Sequence, residues 1–64
     1  MYGVVATVEL SGVYWSERQR RFEFVARAGN REQRFGHYAE QDAERHRAQF
    51  AERLRDGGHE VVAS

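Results

Sequence analysis

Apolar and polar residues alternate from Gly3 to Leu10. Val4, Ala6, Val8 and Leu10 fall on one face, and Val5, Thr7 and Glu9 on the other, which predicts a half-buried strand. Ser11-Gly12 interrupts the pattern, as either a bulge that re-aims the strand or a turn. Val13-Tyr14-Trp15 then resumes it, so the strand pattern runs over about residues 3–15. Ser16 to Arg20 is a polar loop. A second strand over 21–27 places Phe22, Phe24 and Ala26 on one face and Arg21, Glu23, Val25 and Arg27 on the other. Ala28-Gly29-Asn30 suits a three-residue hairpin loop, because Gly and Asn tolerate positive φ. A third strand follows over 31–37, with Gln33 and Phe35 on one face and Glu32 and Arg34 on the other. Gly36 removes a side chain where the strand leaves the sheet or a helix comes close.

From Ala39 the period changes. Ala39, Ala43, His46 or Arg47, Phe50 and Leu54 form a 3.6-residue stripe widened by Ala51, which predicts a helix over 39–56. Glu40, Asp42 and Glu44 load its N-terminal end and Arg53 and Arg55 its C-terminal end, as the helix dipole favours. No Ser, Thr, Asn or Asp stands before Ala39 to cap it. Gly57-Gly58 stops it. Residues 60–63 read as a short edge strand beside the first or as a frayed end. The expectation is a single small α+β domain over 1–64: a three- or four-stranded antiparallel sheet with one amphipathic helix packed on one face. Its expected core is Val13, Phe22, Phe24, Phe35, Phe50, Leu54 and the alanine stripe.

Composition bounds what this fold can do. Sixty-four residues bury only about 60% of the unfolded surface. Two leucines, no isoleucine, seven valines and eight aromatics are a thin apolar supply, and no cysteine reinforces it. Homodimerisation would add buried area. No apolar run approaches the ~20 residues of a membrane span, and Met1-Tyr2-Gly3-Val4 lacks the features of a signal peptide. A cytoplasmic protein without membrane contact is the expectation.

The formal net charge is zero, yet the charges are unevenly spread. Residues 16–38 carry six arginines against three glutamates, while 39–56 carry four arginines against five acids. The basic excess therefore sits on the hairpin. All ten basic residues are arginine, the residue of planar phosphate and guanine recognition, although a GC-rich genome yields the same bias.

Gly12-Val13-Tyr14-Trp15, Arg21-Phe22-Glu23-Phe24-Val25-Ala26-Arg27, Phe35-Gly36-His37-Tyr38 and the Ala/Glu-rich helix together resemble the ethylene-response-factor-type (Apetala-type) DNA-binding domain. They are also similar to the arm-binding domain of phage integrases. The resemblance covers about residues 11–56. It implies a sheet laid in the major groove of double-stranded DNA with a helix behind it. It places Tyr14, Arg21, Arg27 and Arg34 toward the duplex, with the loop residues Arg18, Arg20 and Arg31 on phosphates. Glu23, Val25 and Glu32 depart from the family pattern, and Phe22 stands where a tryptophan is usual.

Other readings of the same residues exist. The sheet-face charges can pair across strands, each pair contributing ~0.2–1 kcal/mol. A mixed-charge, aromatic-bearing face also suits protein recognition. The alternative function is thus a phage- or mobile-element-encoded inhibitor of anti-CRISPR type, acting on a nucleoprotein or defence complex. Tyr14 and Trp15 are candidates to stack on a single strand. Asp42 and His46 lie one helical turn apart, but no third metal ligand is evident, and a surface hydrogen bond is the plainer reading. No nucleophile or phosphate loop has its usual context. A chain this short is expected to lack a pocket of the usual ~300–1,000 Å³. No cofactor, metal or catalytic activity is expected.

Overall fold

The computed structural model describes residues 6–64. Its elements are β1 (Thr7–Leu10), β2 (Tyr14–Ser16), β3 (Arg21–Ala28), β4 (Arg31–His37), α1 (Glu40–Asp56) and β5 (Glu60–Ala63). The α+β architecture matches the sequence expectation. The expected strand positions before Ala6 lie outside the described residues.

β3 is the centre of the sheet. β4 pairs with it along one side, from Phe22 opposite His37 to Ala28 opposite Arg31. Along its other side β1 and β2 lie end to end, both antiparallel to β3. β5 adds beyond β1 and is parallel to it, Val8 lying opposite Val61. The sheet is therefore mixed rather than wholly antiparallel. The reason is topological. β4 already runs parallel to β1, both being antiparallel to β3, and α1 carries the chain back so that β5 repeats the β4 direction.

Ser11-Gly12 is a bulge. Four steps from Leu10 to Tyr14 are matched by only three from Ala26 to Glu23. Ser11 closes the gap: its N–H donates to the Val25 carbonyl at 2.9 Å, and its hydroxyl accepts the Val25 N–H at 2.8 Å. The extra residue reverses the side-chain parity. Val8 and Leu10 face the helix before it; Val13 and Trp15 do so after it, and Tyr14 is left on the opposite, open face.

The β3–β4 loop has two residues, Gly29 and Asn30, rather than the three expected. Gly29 has φ +63° while Asn30 is not at positive φ, the pattern of a type II′ turn that matches strand twist. In the β2–β3 loop the left-handed position falls on Arg20, with φ +58°.

The core lies between the sheet and α1, where Val8, Leu10, Phe24, Ala26, Ala43 and Ala51 are buried. Phe24 and Phe35 stack at 4.9 Å between ring centroids, and Phe50 packs on both. Phe22 sits at the margin of this core, edge-on to Trp15 at 5.0 Å. Two polar devices dock the helix. Arg47 reaches from α1 to the bulge, donating through Nε to the Ser11 carbonyl at 2.5 Å. His46 meets His37 of β4, Nδ1 to Nε2, at 2.7 Å. The expected Asp42–His46 hydrogen bond is absent; Asp42 accepts from Arg45 instead at 3.4 Å.

Among the described residues no side chain caps the N-terminus of α1. Its C-terminus closes as a Schellman motif: Gly58 adopts φ +88°, its N–H bonds the Arg55 carbonyl, and the His59 N–H bonds that of Leu54. Among the described residues no helix is long and apolar enough to cross a membrane.

Candidate functional site

Among the described residues α1 covers one face of the sheet and nothing covers the other. Strand alternation and the bulge decide what stands there: Tyr14 from β2, Arg21, Glu23, Val25 and Arg27 from β3, and Glu32 and Arg34 from β4.

Glu23 is the centre of this face. Its side chain is only 1% exposed, although it points away from the core. Three neighbours cover it. Arg21 donates through Nε to Oε2 at 3.1 Å. The Tyr14 hydroxyl donates to Oε1 at 3.2 Å. Arg34 brings its Nε to 3.9 Å from Oε1. Burial and then the Glu23 hydrogen bond push the Tyr14 phenol above its ordinary range, so it stays protonated as a donor.

Gly36 makes the cluster possible. It lies opposite Glu23 in the ladder. A Cβ there would sit 2.2 Å from the Arg21 Nε and 2.6 Å from its Cζ. The missing side chain is therefore filled by the Arg21 guanidinium on the open face, and not by the helix or by a strand exit.

Arg21 and Arg34 use only their Nε edges toward Glu23. Their terminal nitrogens make no hydrogen bond among the described residues. Arg21, Arg34 and Glu23 sum to one positive charge. Arg18 and Arg20, exposed in the adjacent loop with Glu17, raise the excess at this end to two.

The other end of the face differs. Arg27 is held by Glu9, through Nε at 2.9 Å and Nη2 at 2.5 Å, and this hydrogen bond raises its already high pKa. Glu32 lies across the ladder from Arg27 but forms no ion pair among the described residues. Arg31 is exposed at the hairpin tip, opposite Ala28 and so on the helix side of the sheet rather than on this face. From Arg21 to Ala28 the strand spans about 23 Å. The seven residues singled out in the sequence thus separate: Tyr14, Arg18, Arg20, Arg21 and Arg34 gather at one end, while Arg27 and Arg31 stand toward the other. The sequence sets Glu23 apart only as a departure from the family pattern. Its position between two arginines at i−2 and on the neighbouring strand was the available signal of an anchor.

Trp15 and Tyr14 form no joint stacking platform. They face opposite sides of the sheet, and the Trp15 indole N–H donates to Glu17 at 2.8 Å.

On the helix side a groove of about 510 Å³ opens beside the C-terminal half of α1, lined by Val8, Ala26, Phe50, Leu54 and His59, with Arg31 to Gln33 at its rim. It exceeds the volume expected of so short a chain because α1 leaves the distal part of the β3–β4 hairpin uncovered. Among the described residues no group of three or more His, Cys, Asp or Glu is placed to hold a metal ion.

No family model matches the chain, and neither a curated protein nor a solved structure does.

Proposed function

We propose that this chain is a small non-enzymatic module that binds double-stranded DNA through the open face of its sheet, acting in the cytoplasm without a cofactor. The observation that carries the reading is the burial of Glu23 beneath Arg21 and Arg34. The carboxylate that would repel phosphate is covered, and it orients arginines whose terminal N–H groups remain available. A strand pair of this kind fits the width of the major groove. Arg21 and Arg34 would meet phosphate or guanine edges beside Tyr14. Arg18 and Arg20 would hold phosphates at the near end; Arg27, held by Glu9, would lie at the far margin of the contact, and Arg31, which shares the helix-side face with Ala28, would stand outside it. The resemblance to sheet-in-groove domains supports the same orientation, with the helix behind.

The test is fluorescence anisotropy of labelled random duplex DNA at about 50 and 200 mM salt. Salt-sensitive binding that weakens roughly tenfold in Arg21→Ala supports the reading, a loss of about 1.4 kcal/mol. Absence of binding at the lower salt rejects it.

One observation favours a second reading. Tyr14, Trp15 and Tyr38 are 40%, 42% and 86% exposed, and aromatic residues with arginines are typical of energetic centres in protein interfaces. A protein-binding inhibitor of a nucleoprotein or defence complex would use them. It requires a stable protein complex and no salt-sensitive affinity for free DNA.

A further inference from the structure

We infer that β4 is a self-association edge, and that two copies of this chain join antiparallel through β4 about a twofold axis at Gln33. The inference is independent of DNA binding.

Among the described residues β4 pairs only with β3, which leaves its outer edge open over seven residues. The two-residue loop fixes which backbone groups it offers. Ala28 and Arg31 flank the turn and form a hydrogen-bonded pair, and such pairs alternate along an antiparallel ladder. The N–H and C=O groups of Arg31, Gln33, Phe35 and His37 therefore point to β3. Those of Glu32, Arg34 and Gly36 point outward.

A second β4 must match outward groups with outward groups. Four registers lie near the strand centre: Glu32 opposite its own copy, Arg34 opposite its own copy, Glu32 opposite Arg34, or Arg34 opposite Gly36. The first two set like charges directly against each other, which is destabilising. The third sets Glu32 against Arg34 twice, with Gln33 on the dyad and Arg31 opposite Phe35. The fourth sets Arg34 against Gly36 and joins no opposite charges, so only the third is charge-complementary.

The side chains concerned are poised for it. Arg31 to Arg34 are exposed. Glu32 has no ion-pair partner among the described residues, because Glu9 has taken Arg27. Arg34 stands 3.9 Å from Glu23 and keeps its terminal nitrogens unbonded among the described residues. No proline, lysine or bulge blocks the edge, devices by which solitary edges are commonly protected.

Sedimentation velocity over about 10–200 µM protein reads the association, Kd values in that range being those of a modest interface. The expected result is a species of twice the 7.5 kDa chain mass at the upper end. Glu32→Arg and Arg34→Glu alone should each weaken it at least tenfold. Mixing these two variants should restore it, since each then offers the charges the other lacks. A wild-type chain that stays monomeric throughout overturns the proposal. So does equal association of wild type and both single variants. Amide exchange of the wild-type chain provides a reading without substitution. The Glu32 and Arg34 amides should gain protection as concentration rises, and unchanged exchange of both overturns the register.

Discussion

The Arg21 guanidinium bonds Glu23, two residues along its own strand, at 3.1 Å and lies over Gly36 of the neighbouring strand. A charged side chain is thus seated across two strands by one carboxylate and one absent Cβ. Gly36→Ala should leave the fold intact, since the atoms it meets belong to the far end of a flexible side chain. It should displace Arg21 from Glu23 and weaken DNA binding several-fold, with a melting temperature within a few degrees of wild type. A melting temperature lowered by more than about 10 °C would mean that Gly36 serves the backbone itself.

Ser11 replaces a missing rung of the ladder with its hydroxyl. Ser11→Ala leaves the Val25 N–H without its acceptor and should cost about 1–2 kcal/mol. Thermal melting reads the loss. Faster exchange of the Val25 amide locates it.

Arg20 occupies the left-handed region at φ +58°, where a non-glycine residue costs roughly 1 kcal/mol. Arg20→Gly relieves this cost, partly offset by the greater freedom of glycine in the unfolded chain. The expected gain is about 0.5 kcal/mol, a few degrees in melting temperature. If Arg20 holds a phosphate, the slope of binding against salt should also fall by about one.

His46 is packed among Phe24, Phe35 and Phe50 and bonded to His37. Burial first, then the charge of His37 and that of Arg53, push its pKa below the ordinary histidine value. The unfolded chain therefore binds the proton more readily. Stability should be complete above the ordinary histidine value of about 6.5 and decline as pH falls below it toward the lowered folded value. Melting at pH about 7.5 and 5.5 tests this, and His46→Phe should reduce the difference. An equal melting temperature at both values in wild type would contradict it.

Much of the fold was legible because alternation and the 3.6-residue stripe are local. β3, β4, α1 and the Gly57-Gly58 stop follow directly from them. The direction of β5 was not legible, because it depends on where the helix returns the chain. Ser11-Gly12 was readable as an interruption, but whether it turned the chain or shifted parity depends on its partner Val25. The arginine positions were readable; their division into a Glu23-anchored group and an Arg27–Glu9 pair was not. That division arises from cross-strand register, and register places Arg21 over Gly36. The His37–His46 contact was hidden for the same reason, joining a strand end to the second turn of a helix.

The most direct test of the Glu23-anchored arginine site is to follow arginine side-chain Nε–Hε signals by NMR as duplex DNA is added. Arg21 and Arg34 should shift most, with Arg18 and Arg20 next and Arg27 changing least, because Glu9 already holds it. Unmoved Arg21 and Arg34 signals under DNA excess, or a response confined to α1 arginines, would contradict the account.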